Sequence, residues 1–264
     1  MISIYTLTLG RTYYLEKLIA SVVESAQSYP EEIEHHICFQ GVSPAESTLM
    51  LVRNNDARGL RFEIHEWPQN LGIAMGMNRI IPALGGEVLI KMDDDCVIQS
   101  RNFFEHVAAV HRLKPNAFFS PFPAGLLGDV VGGVPGSRSK VEYSPQMDTY
   151  YTLRPVTHLG GFCRVSPARL VRDWVLKPDV IRGGSGNEDT QYSARCRTQG
   201  IDMYYLENAL IVEHQETVLG QRARYEQYFR ERFPEEFERG SLWHAWAFAR
   251  RKAGRALRRL GLRR

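Results

Sequence analysis

The chain has 264 residues, 44% of them hydrophobic and 11% aromatic, enough to bury a sizeable core and too apolar for a disordered chain. The formal net charge of +3 is uneven: from residue 241 onward there are eight Lys or Arg and no Asp or Glu, which leaves residues 1–240 at −5. A mildly acidic body excludes a chain-wide nucleic-acid surface and confines any charge-driven partner to the tail.

Residues 2–7 read as a short strand without a basic leader or cleavage site, so no signal peptide and a cytoplasmic location are expected. No apolar run approaches the length of a membrane span. Cys38, Cys96, Cys163 and Cys196 form no CxxC pair and are read as reduced thiols. After the first strand, Leu15, Leu18, Ile19, Val22 and Val23 recur with helical spacing up to Pro30. Residues 33–39 are a second strand, 44–52 a helix and 60–65 a third strand. A helical pattern over 71–84 is broken by Gly85 and Gly86, and 88–92 is a short apolar strand. Strand alternating with helix predicts an α/β layer with a mostly parallel sheet. Residues 103–113 read as another helix. The stretch 115–155, rich in Gly and Pro, is expected to be loops or an excursion from the sheet, not a second hydrophobic core. A strand over 156–165, a helix starting at 167–174, a helix over 190–198 and a strand over 203–212 complete the pattern. A hydrophobic and basic helical tail follows, and no internal repeat is visible.

Asp93, Asp94 and Asp95 directly follow the predicted strand 88–92, and ligand sites in open α/β sheets lie beyond such carboxyl ends. Alternate residues of an extended chain point the same way, so Asp93 and Asp95 can serve one site. Three adjacent carboxylates repel one another unless a cation relieves them. A hard divalent ion, Mg²⁺ or Mn²⁺, fits oxygen donors and shares them with phosphate. Asp95 is the preferred metal ligand. Asp93 orients a donor ribose or shares the metal, and Asp94 is expected to turn toward backbone donors. The plain alternative is a solvated acidic loop or helix cap. The EF-hand, Gly-x-Gly-x-x-Gly and Walker lysine patterns are all missing. Glu188 and Asp189 follow a glycine-rich stretch and open a helix, where an acidic pair also suits the helix dipole.

Four segments in this order resemble the inverting, GT-A-fold glycosyltransferases of family 2: ISIYTLTLGR at 2–11, NLGIAMGMN at 70–78, MDDD at 92–95 and GNED at 186–189. The resemblance covers about residues 1–215. It implies a GT-A-type, Rossmann-like α/β/α sandwich, with a nucleotide-sugar-binding half over about 1–115 and an acceptor-binding half over about 116–215. A divalent metal and a nucleoside-diphosphate-sugar donor are implied with it. Thr8 and Arg11 match the family's nucleotide-base loop, and Gln40 stands at the end of the second strand to meet a base edge. Asn70, Gly72, Asn78 and Arg79 match its donor segment; an ordinary surface salt bridge remains open for Arg79. Asp189 matches the family's catalytic base, with Glu188 supporting it or binding acceptor. The HLGG segment at 158–161 matches the region below the acceptor pocket or is simply a turn. His214 matches a histidine that completes the metal or diphosphate site in some members, or makes structural hydrogen bonds. Lys91 is read as facing away from the aspartates.

The expected function is inverting transfer of a sugar from a nucleoside-diphosphate-sugar to an acceptor hydroxyl, in polysaccharide or glycolipid synthesis. A sugar-phosphate nucleotidyltransferase and a noncatalytic carbohydrate-binding or assembly protein are the alternatives. In the extension 216–264, Trp243, Trp246, Leu257 and Leu260 can share one helical side amid arginines. That pattern fits an anionic membrane surface and a peripheral cytoplasmic location. Packing against protein or contact with nucleic acid are the competing readings.

Overall fold

A computed structural model describes residues 1–55, 59–124, 138–178 and 188–215. The first half alternates strand and helix: β1 (Ile2–Thr8), α1 (Thr12–Ala26), β2 (Ile33–Gln40), α2 (Glu46–Asn55), β3 (Leu60–Trp67), α3 (Gly72–Ile80) with a 3-10 turn (Ile81–Ala83), then β4 (Val88–Met92). A three-residue strand β5 (Cys96–Ile98), α4 (Phe103–Leu113) and β6 (Phe118–Ala124) follow. The chain continues through β7 (Lys140–Ser144), β8 (Thr149–Pro155), β9 (Cys163–Pro167), α5 (Ala168–Val171), α6 (Glu188–Thr198) and β10 (Met203–His214).

The strands form one sheet in the order β3-β2-β1-β4-β9-β6-β10-β8-β7, with β5 also pairing to β10. Strands β1, β2, β3, β4, β6, β7 and β10 point one way, while β5, β8 and β9 run against them. The mostly parallel α/β sandwich anticipated from the alternation is therefore present. Helix α1 packs with α2 and α4, and α3 and α6 cover the other face, where Met77 and Tyr192 reach the same buried arginine.

Local chemistry explains the elements. Leu15, Leu18, Ile19 and Val22 of α1 are fully buried at helical spacing, so this helix is fixed by its apolar stripe. Every residue of β2 and β4 is buried, as expected for strands covered on both faces.

Two expectations are corrected. The stretch 115–155 holds three strands among its described residues, β6, β7 and β8, all within the one sheet, where loops or an excursion from it were expected. The glycine-rich part of that stretch lies outside the described residues, and β7 and β8 form an edge hairpin. Its register pairs Tyr143 with Tyr150, whose rings stand 4.8 Å apart. Cross-strand aromatic pairs of this kind stabilise a hairpin on its exposed face, while Tyr151 and Leu153 of β8 are buried on the other. The strand expected over 156–165 begins only at Cys163. Val156, Leu159 and Phe162 are buried in the preceding loop, and a buried loop carries the same apolar run as a strand. The extension 216–264 and the glycines at 183–186 lie outside the described residues. No described helix is long and apolar enough to cross a membrane, and all four cysteines are free and buried.

Because Leu18 is fully buried beneath the sheet, Leu18→Ala is expected to cost about 2–5 kcal/mol of folding stability. Urea unfolding should show a lowered midpoint at an unchanged slope.

Candidate active site

The parallel strands β1, β2, β4 and β10 end at one edge of the sheet, and the antiparallel β9 begins there, with Cys163 beside Met92. Thr8, Gln40, the three aspartates and His214 are thus brought to one edge by the topology. A register shift in β10 between Leu206 and Ile211 re-aims its last residues. His214 is then paired with Cys96 of β5, and Gln215 N–H donates to the Asp95 carbonyl at 2.9 Å.

Asp93, Asp95 and His214 each offer a ligand atom, all within 4.8 Å of one another. Asp95 is 1% exposed, and its Oδ1 has no hydrogen bond while lying 3.6 Å from His214 Nε2. Burial raises the Asp95 pKa against the opposing pull of Arg11 and His214. An oxygen left bare in a buried carboxylate calls for a cation or donor. Asp94 turns away, as alternation requires, but its partners are side chains and not the expected backbone donors. It accepts from Thr8 Oγ1 at 2.6 Å and from Arg11 Nε at 3.2 Å, and it pairs with Arg11 Nη2. Arg11 also lies 3.5 Å from Asp95. Thr8 and Arg11 therefore pin the β1–α1 loop to the aspartates.

The second cluster faces the first across Lys91. Lys91 does not face away: it is 3% exposed, with Nζ 2.7 Å from Asp93 and 3.5 Å from Glu188. Burial alone would lower its pKa, but Asp93, Glu188 and Asp189 raise it, so it stays charged. Arg164, 1% exposed, holds Asp189 at 3.2 Å and lies 3.8 Å from the centre of the Tyr192 ring. Gly161 N–H donates to Asp189 Oδ2 at 2.8 Å. A Cβ at Gly161 would collide with that carboxylate and stand 2.9 Å from Lys91 Nζ. The HLGG glycine thus makes room for a side chain of the protein itself. Leu159 and Gly160 N–H groups donate to Ser193 and Tyr205, which fix this loop to α6 and β10. Glu188 is 3% exposed, with Oε2 lacking a hydrogen bond. Burial opposes its charge, but Lys91 and Arg164 outweigh burial and hold its pKa low. The Asp189 pKa is pushed up to about 7, first by burial and then by Glu188.

Arg164 was not singled out in the sequence and Lys91 was read as facing away, yet both are basic residues inside otherwise apolar strands. One register row sets Tyr5, Lys91 and Arg164 side by side on the same face. A charge placed mid-strand in VLIKM and in CRVSP was the available signal, because a fully buried charge must be paired.

The remaining donor-side candidates divide. Gln40 Oε1 accepts from Leu71 N–H at 3.1 Å, and Asn70 Oδ1 accepts from Gly72 N–H at 2.9 Å. Gly72 has φ of +75°, a conformation that favours glycine. Asn70 Nδ2 is buried without a hydrogen bond. These residues build the turn at the sheet edge. Asn78 is placed otherwise than expected: its amide both donates to and accepts from the Leu176 backbone at 2.8 Å, a clamp between α3 and the segment after α5. Arg79 is exposed and rests 5.0 Å from the centre of the Trp67 ring.

No family model matches the sequence, and no curated protein matches it. Solved structures do. TarS of S. aureus aligns with a TM-score of 0.58 and 16% identity over 88% of this chain and 38% of that one. A mannosyltransferase, PcManGT from Pyrobaculum calidifontis, solved with GDP-Man and Mn²⁺, aligns with 0.59 and 14% over 90% of this chain and 64% of its own. GalNAc-T7 with UDP, GalNAc and Mn²⁺ gives 0.56 and 14% over 90% and 50%. This chain spans 38% to 64% of the length of those proteins. What it has in common with them is architecture: the chain adopts the GT-A-type fold of glycosyltransferases.

Proposed function

We propose that the chain is a metal-dependent glycosyltransferase that moves a sugar from a nucleoside-diphosphate-sugar to an acceptor hydroxyl with inversion. One observation carries this reading: a metal-ligand triad and a carboxylate of raised pKa occupy the same sheet edge, joined through Lys91. The GT-A-type fold supports it, as do structural neighbours solved with UDP, with UDP-GlcNAc, or with GDP-Man and Mn²⁺.

Asp93, Asp95 and His214 fit Mg²⁺ or Mn²⁺ through the bare Asp95 oxygen and through charge. Asp93, Asp94, Asp95, Glu188 and Asp189 face Arg11, Lys91 and Arg164, an excess of two negative charges when all are ionised. A bound divalent ion would neutralise that excess and stabilise charge on the departing diphosphate. Thr8, Arg11 and Asp94 fix the loop proposed to meet the nucleotide. Gln40, Asn70 and Gly72 shape its rim. Asp189 takes the proton from the acceptor hydroxyl as the new bond forms opposite the leaving group. Gly161 N–H and Arg164 hold its two oxygens in place, and Lys91 keeps Glu188 ionised beside it. A carboxylate with a pKa near neutrality is basic enough to accept that proton and is still ionised at working pH. The basic, tryptophan-bearing segment 241–264 is proposed to rest on anionic headgroups, near lipid-linked or polymer acceptors.

Asp95→Ala should lower kcat at least about 100-fold, since loss of ion stabilisation removes several kcal/mol. Mn²⁺ titration should show weakened binding, and full turnover would refute the ligand role. Asp189→Asn should lower transfer about 10²- to 10⁴-fold while nucleotide-sugar binding persists. The base works only when ionised, and burial places its pKa at about 7. Activity should therefore be present above pH 7 and fall as pH drops through it, a limb that Asp189→Asn should abolish. Deleting 241–264 should reduce co-sedimentation with anionic vesicles; equal binding would remove the membrane assignment.

A further inference from the structure

We propose that His36, Glu63 and His65 form a second metal site, a two-histidine, one-carboxylate centre for a late transition ion such as Zn²⁺, on strands β2 and β3. It is independent of the proposed transfer reaction and shares no ligand with the aspartate centre.

The register places His36 beside Glu63 and Cys38 beside His65, so all three ligands project from one face of the sheet. His36 Nδ1 lies 2.9 Å from His65 Nε2 and 3.5 Å from Glu63 Oε2, and His65 Nε2 lies 4.0 Å from the same oxygen. Two imidazoles and a carboxylate are a donor set suited to Zn²⁺. Around a tetrahedral ion, two such nitrogens stand about 3.4 Å apart. The observed 2.9 Å is thus a metal-free spacing, and it opens to the bound one by a small rotation of His65. That ring belongs to the edge strand β3 and is 27% exposed, so it has room to move and leaves a solvent-facing fourth position.

A second observation points to a metal and not merely to neighbouring polar groups. The other nitrogen of His36, Nε2, is buried without a hydrogen bond and faces Glu34 Oε1 at 3.5 Å. Glu34 is itself 3% exposed and is held by Ser3, by Gly85 N–H at 2.6 Å and by Arg61 at 2.8 Å. A carboxylate behind a histidine orients the ring and strengthens it as a ligand once a metal engages the opposite nitrogen. Arg61 takes Glu63 Oε1 at 3.2 Å, which leaves Oε2 turned to the histidines. Arg61 and Arg79 are the cations on this face, and the paired Glu34 and Glu63 offset the first of them. Bound there, the ion would fasten the edge strand β3 to β2.

The test is Zn²⁺ and Co²⁺ titration of the full chain after chelator dialysis, using wild type, Asp95→Ala, His65→Ala and the double variant. Low-coordinate Co²⁺ absorbance should persist in Asp95→Ala and vanish in His65→Ala. Zn²⁺ affinity in the Asp95→Ala background should fall about 100-fold or more when His65 is also removed. Zn²⁺ should raise the Tm of Asp95→Ala but not of the double variant. Absorbance and affinity unchanged by His65→Ala would overturn the proposal, leaving a simple hydrogen bond between two imidazoles. Loss of both in Asp95→Ala would also overturn it, by assigning the bound ion to the aspartate centre.

Discussion

Lys91 lies in the middle of the sheet with its ammonium 2.7 Å from Asp93 and 3.5 Å from Glu188. A cation at that depth is tolerated only because carboxylates surround it, and those carboxylates are tolerated only because it is there. Removing either side would leave an uncompensated buried charge. The two halves of the proposed chemistry, metal holding and proton removal, are therefore mechanically one unit. Arg164 extends the unit, clamped between Asp189 and the face of Tyr192, and Arg11 closes it at the other end against Asp94.

This arrangement also explains why the acidic groups behave differently. Glu188, 3.5 Å from Lys91, is kept ionised, whereas Asp189 is raised toward neutrality by burial and by Glu188. Two adjacent carboxyl groups pushed in opposite directions are the usual sign of divided labour in an active site. Asp94 and Asp95 divide by their contacts. Asp94 has three donor contacts and serves as an anchor for the first loop. Asp95 keeps an oxygen bare toward His214.

Much of the fold was legible because its strands and helices obey simple periods. The α4 boundaries at Phe103 and Leu113 and the β4 boundaries at Val88 and Met92 matched the apolar pattern directly. The hairpin of β7 and β8 was hidden because only Tyr151 and Leu153 of its two strands are buried apolar residues, and the glycines and prolines before it suggested loops. Within the site, Asp93, Asp95 and His214 could be gathered by motif and order, but their convergence depends on a β10 register shift that no local pattern announces. Arg164 was passed over and Lys91 turned the wrong way because periodicity treats a charge in an apolar strand as an exception and says nothing of its partner. Asn78 illustrates the reverse error: its amide suits a ligand, but the Leu176 backbone 98 positions away occupies it.

Strand β10 is the last of the described strands, yet it sits between β6 and β8 inside the sheet. The chain emerging from a ribosome would hold Asp93 and Asp95 long before His214 arrives to complete their triad. Until that strand slots into place, β6 and β8 have unsatisfied edges and the aspartates lack their third ligand. At the proposed metal centre, cation affinity would thus mature late, and a tightly held ion there would report that the sheet has closed. The contact it makes with β5 spans more than a hundred residues of sequence, and pairings of that range are intrinsically slow to form.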